Sequence, residues 1–149
     1  MKITEVLSAE HTIFLRVFDQ IEKALPGVTT LNEVRTFGSV VEGLLEGHAE
    51  TERNMAYIAL DHVLADKDSL DRLHHEHDEI DDGLKRVFAA TDCARACSCL
   101  RAALDASRKH FRYEEKHIFP LLEFSLRGET LEKLGKSWHQ QQADASARP

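Results

Sequence analysis

The chain has 149 residues, 42% of them hydrophobic, and a formal net charge of −7. That length fits one domain, and so acidic a chain is a poor phosphate-backbone binder, which disfavours nucleic acid as a partner. No stretch nears the ~18 consecutive apolar residues that span a bilayer, and Met1-Lys2-Ile3-Thr4-Glu5 lacks the basic-then-apolar layout of an export signal, so a cytoplasmic protein without a membrane partner is expected.

Only 7 glycines and 3 prolines interrupt the chain, which favours long helices over sheet. Helix 1 should start near Ser8 and stop before Pro26-Gly27, with Leu7, His11, Phe14, Phe18, Ile21 and Leu25 forming its inward face. Thr30 and Glu33 form a capping box for helix 2. Its stripe is Val34, Phe37, Val41, Leu44, His48, Glu52 and Met55, and it should fray around Ala65-Asp66. Asp68 or Ser69 caps helix 3, whose stripe is Leu70, Leu73, His77, Ile80, Leu84 and Val87. Asp92 caps helix 4, with the stripe Cys99, Ala103, Ala106, His110, Glu114, His117 and Leu121, ending by Arg127-Gly128. Thr130 caps a short fifth helix from Leu131 to about Gln142, and Ala143–Pro149 forms a frayed tail. The predicted fold is all-α: an up-down-up-down four-helix bundle with a short C-terminal fifth helix. One domain should cover residues 1–149, with its core in about 7–126. The cysteines Cys93, Cys97 and Cys99 are odd in number and clustered, so they read as small core or boundary residues, not as a disulfide framework.

The helices repeat in pairs. Glu10-His11 opens helix 1 and Glu76-His77 stands at the same place in helix 3. His48-Ala49-Glu50-Thr51-Glu52 in helix 2 matches His110-Phe111-Arg112-Tyr113-Glu114 in helix 4. Each hairpin thus carries one lone His and one His-x3-Glu. Residues four apart share a helix face, so each His-x3-Glu aims an imidazole and a carboxylate at one point. A core carboxylate needs a cation or strong donors. Imidazole with carboxylate suits first-row transition metals, and six ligands serve two ions bridged by two carboxylates better than one.

The bare spacing is weak evidence. Nine histidines and 15 glutamates in 149 residues make about one His-x3-Glu pair by chance, and three occur. Position separates them: His48/Glu52 and His110/Glu114 lie in apolar stripes at matching points of the repeat, whereas His75/Glu79 lies off the stripe and reads as a surface pair. His74 and His117 lie on or near inward faces and can be core-edge, surface or supporting residues. His62 and His139 read as structural or exposed. Asp81 stands one turn past His77 and is either a further ligand or part of an acidic surface with Asp78 and Asp82.

These residues resemble the hemerythrin-like, or HHE cation-binding, family. The carrying segments are Glu10-His11, His48-Ala49-Glu50-Thr51-Glu52, Glu76-His77 and His110-Phe111-Arg112-Tyr113-Glu114-Glu115-Lys116-His117-Ile118-Phe119-Pro120. Helix 2 departs from the pattern, with Arg53 for the usual second Glu and no proline after Tyr57. The resemblance implies a non-haem di-iron centre, oxo- or hydroxo-bridged, held by His11, His48, Glu52, His77, His110 and Glu114, with Asp81 as a lesser candidate. Manganese or zinc can replace iron in a given preparation. In the oxygen carriers of the family the residue matching Asp81 is a histidine, so the chain looks more like the branch with two His-x3-Glu repeats. The implied function is handling of a small oxidant or diatomic ligand: oxygen, nitric oxide or peroxide. The alternative is a sensing module whose iron occupancy or redox state is read by a partner. Either a monomer or a homodimer is compatible with this reading.

Overall fold

The computed structural model describes residues 1–64 and 67–146. Helix α1 spans Ile3–Ala24 and closes in a 3₁₀ turn, Leu25–Gly27. Helix α2 begins as Leu31–Thr51, widens into a π-helical stretch over Glu52–Tyr57, and finishes as Ile58–Asp61. Helix α3 is Asp68–Ala89. Helix α4 runs as Cys93–Tyr113, passes through a second π-helical stretch at Glu114–Ile118, and ends as Phe119–Ser125. Helix α5 is Gly128–Ser146. The short connections make successive helices antiparallel, giving the up-down-up-down bundle with an added fifth helix; no strand occurs among the described residues.

Several boundaries follow the local chemistry read from sequence. The Thr30 hydroxyl accepts from the Glu33 N–H, and the Glu33 carboxylate accepts from the Thr30 N–H at 2.9 Å. Asp92 Oδ1 accepts from the Arg95 N–H at 2.8 Å. Others move. Helix α1 starts five residues before Ser8, because the Glu5 carboxylate takes the Lys2 N–H at 2.7 Å and because Ile3, Val6 and Leu7 are buried. Neither Asp68 nor Ser69 caps α3, whose first residue is Asp68 itself, preceded by Lys67 without a side-chain cap. Thr130 lies inside α5, which begins at Gly128. That helix also outruns Gln142, so most of the expected tail is helical, and residues 147–149 lie outside the described residues. The expected fraying point Ala65-Asp66 lies outside them as well.

Burial divides the interior into two apolar clusters. One gathers Phe14, Phe18, Leu45, Ile80, Leu84 and Phe111. The other gathers Leu7, Met55, Leu73, Ile118, Leu122 and Leu131. In every bundle helix the predicted histidine lies in sequence between members of the two clusters. The polar layer is therefore sealed from both ends, and α5 covers the second cluster through Leu131, Leu134 and Trp138.

The π-helical stretches correct the inward stripe of α4. A π-turn adds a residue to the turn, here shown by the Phe119 N–H bonding to the Glu114 carbonyl five residues back. Beyond Glu114 the core positions are therefore Ile118, Phe119 and Leu122, not His117 and Leu121; His117 is exposed. At the start of α4, Cys97 is buried in place of Cys99. Pro120, which has no N–H to offer, suits a helix that leaves α register there. The same widening forms at Glu52–Tyr57 without a proline, so proline is not its cause.

Candidate metal centre

His11, His48, His77 and His110 project from four different helices into the layer between the apolar clusters, and all four are buried. Glu52 and Glu114 are fully buried beside them. The ligand-type atoms form two groups: His11, His48, Glu52 and Glu114 in one, Glu52, His77 and His110 in the other. The structure thus brings together all six residues singled out by position in the repeat. It places Asp81 on the exposed side of α3, at the rim of a cleft and outside both groups. His75 and Glu79 pair at 3.5 Å on the surface, far more exposed than the other two His-x3-Glu pairs. His74 is exposed and meets the Tyr57 ring edge-on, while His62 and His139 are exposed.

The imidazoles face one another in pairs. His11 Nε2 and His48 Nε2 are 2.9 Å apart, and so are His77 Nε2 and His110 Nε2. Three of the opposite ring nitrogens meet carboxylates: His48 Nδ1 with Glu10 at 2.8 Å, His110 Nδ1 with Glu76 at 2.9 Å, His11 Nδ1 with Glu115 at 3.0 Å. An ionised carboxylate only accepts, so each of these Nδ1 atoms carries the proton and donates. In the neutral tautomer the Nε2 lone pairs then point inward at one another, an arrangement that calls for a cation between them. Among the described residues, Glu52 Oε1 and Glu114 Oε2 are buried without a well-directed hydrogen bond and lie against imidazole nitrogens. The donor set therefore fits first-row metal ions.

The two carboxylates are posed differently. Glu52 directs Oε1 to His48 at 2.9 Å and Oε2 to His77 at 3.1 Å, so it reaches both histidine pairs. Glu114 keeps Oε2 between His11 at 3.4 Å and His110 at 3.5 Å. Its Oε1 accepts from the Tyr57 hydroxyl at 2.7 Å. Burial and the adjacent Glu52 charge push the Glu114 carboxyl up, whereas the surrounding imidazoles hold Glu52 well below the usual carboxylate range despite its burial. Burial and the same two carboxylates raise the Tyr57 phenol, so it stays protonated and donates. Burial alone would lower the histidines. The Glu52 charge and the Glu10 bond more than offset it at His48, which stands at about 10. The neighbouring Glu52 carboxylate and the hydrogen bond to Glu76 do the same at His110, also about 10. Protons thus neutralise the carboxylates when no metal is bound.

Sequence reasoning quoted Glu10, Glu76 and Glu115 without giving them a role and passed over Tyr57. The signal was present in the repeat. Both Glu-His dipeptides put a histidine into the centre and a carboxylate onto the ring of the next helix's histidine. Tyr57 matches Phe119 at the same offset of 62 that relates Glu52 to Glu114.

Beside the histidines lies a cavity of about 20 Å³, bordered by His48, His77 and His110 together with Leu45, Ala49, Ile80, Asp81 and Phe111. A space that small admits one water-sized or diatomic guest.

A family model described as "Hemerythrin HHE cation binding domain" matches residues 2–122. Neither the curated proteins nor the solved structures gave a match.

Proposed function

The chain belongs to the hemerythrin HHE cation-binding family, and from that premise we propose that it holds two iron ions and handles a small oxidant or diatomic ligand. His11 and His48 would hold one ion, His77 and His110 the other, and Glu52 and Glu114 would join them. The observation that carries this reading is the pairing of four inward Nε2 atoms, 2.9 Å apart within each pair, around two buried carboxylates. Metal bound there supplies redox and ligand-binding chemistry.

The protein's own residues do the rest. Glu10, Glu76 and Glu115 fix the tautomers and the ring orientations. Tyr57 holds Glu114 through one oxygen and leaves the other for the centre. Leu45, Ile80 and Phe111 make the adjoining cavity apolar, and its size selects oxygen, nitric oxide or peroxide over larger substrates. The residues form a single functional unit with the bundle, and we place the whole chain in one domain.

Elemental analysis and absorption spectra test the reading. Reduced protein should contain two irons per chain and change its visible spectrum on exposure to air or nitric oxide. Iron-loaded protein that keeps its spectrum under both gases would sink the ligand-handling role.

A further inference from the structure

The repeat that builds the centre is broken in three places, all on the same side. Shifting by 62 residues superimposes helix α4 on helix α2 in sequence, so that Glu115 corresponds to Arg53, Phe111 to Ala49 and Phe119 to Tyr57. The first two differences bear on how the two histidines of the lone type, His11 and His77, are held; the third keeps the ring contact, since Tyr57 stacks on His77 with centroids 5.7 Å apart much as Phe119 does on His11.

Glu115 accepts from His11 Nδ1 at 3.0 Å. Arg53, the corresponding residue, is exposed and cannot accept, and His77 Nδ1 is buried with no hydrogen-bond partner among the described residues. Phe111 stacks on the His11 ring with centroids 4.0 Å apart and planes at 17°, and Phe119 stacks from 5.5 Å. On the other side Ala49 replaces Phe111 and offers no ring to stack, and Ala49 lines the small cavity that His48, His77 and His110 also border. His77 accordingly retains 7% exposure against 2% for His11.

Resting on the di-metal reading, we infer that the two metal positions are unequal: the His11–His48 position is tight and fills first, and the His77–His110 position is the loose one, through which metal exchanges. Arg53 and Glu115 are the positioning residues that set the difference. An imidazole with its far nitrogen bonded to a carboxylate is oriented and made more basic, and loss of such a partner typically costs 10–100-fold in metal affinity. A chelator should therefore strip the His77–His110 position first.

Titration of the metal-free chain with Co²⁺ at neutral pH, followed by visible absorption and elemental stoichiometry, tests this. The wild type should bind two ions in separate steps, the second roughly 10–100-fold weaker. Arg53→Glu should tighten the second step and leave the first alone, whereas Arg53→Ala, which removes charge without adding an acceptor, should not. Glu115→Gln should weaken the first step. His77→Ala should keep one ion at the affinity of the wild type's first step, which also shows that the variant folds. Two ions bound in one unresolved step would overturn the inference while leaving the di-metal centre intact. So would an Arg53→Glu titration that matches Arg53→Ala, or loss of the tight step in His77→Ala. No cobalt bound by the wild type would overturn the di-metal reading and this inference together.

Discussion

At the scale of single residues, the centre explains why charged groups are tolerated in the interior. Glu114→Ala should remove metal and lower the melting temperature together, because the carboxylate reaches His11 and His110 from different helices. His75→Ala should change neither, since its pair with Glu79 is exposed. Elemental analysis and thermal unfolding of both variants check this. Asp81→Ala should likewise keep both ions and the visible spectrum, as its side chain lies outside the ligand groups; an altered spectrum would restore Asp81 to the centre. The histidines also set a pH dependence for the metal-free chain. His48 and His110 are raised from 6.5 to about 10 in the folded state. Protonation on folding therefore contributes stability that is fully present below about pH 6.5 and is lost as pH rises towards 10. Melting temperatures of chelator-treated protein should fall across that window. Metal binding displaces the same protons, so metal affinity should rise as pH rises.

At the scale of elements, the two widened turns and the fifth helix are the features that place the site and close it. The π-stretch in α4 turns Ile118 and Phe119 inward beyond Glu114, and Phe119 thereby reaches the His11 ring. Helix α5 closes that same end of the bundle, where Gly135 lies against the backbone of Met1, Lys2 and Ile3. A Cβ at Gly135 would collide with the Met1 carbonyl, and backbone cannot swing aside as a flexible side chain can. Gly135→Ala should therefore lower stability by about 1–3 kcal/mol through displacement of the first turn of α1. Denaturant unfolding measures it, and a variant as stable as the wild type would mean that α5 shifts freely over α1. Elsewhere the elements are tied by capping that the sequence does not announce: Arg35 on α2 donates to the Phe88 and Ala90 carbonyls at the end of α3. Arg108 on α4 reaches Glu22 and Asp19 on α1 at 2.8–2.9 Å.

At the scale of the whole molecule, metal and fold should be linked, because each of the four bundle helices contributes a histidine to the proposed centre. At free metal one hundredfold above Kd, binding to the folded state alone adds about 2.7 kcal/mol. The loaded chain should accordingly melt higher than the chelated one, and equal melting temperatures would place the histidines outside any metal site. Much of this molecule was determined by its sequence. Apolar spacing at three and four residues gave the four bundle helices. His11, His48, His77 and His110 in those stripes, with Glu52 and Glu114 one turn on, marked the centre, because a helix places such positions on one face whatever its neighbours are. Caps that act within one turn, Thr30 with Glu33 and Asp92 with Arg95, were legible for the same reason. The tertiary structure alone decided what depends on residues distant in sequence. It sent Asp81 to the surface, gave Glu10, Glu76 and Glu115 their histidines, and set Tyr57 against Glu114. It also replaced His117 by Ile118 in the core, because one extra residue in a π-turn rotates every later side chain, and an α-periodic reading carries no sign of that rotation.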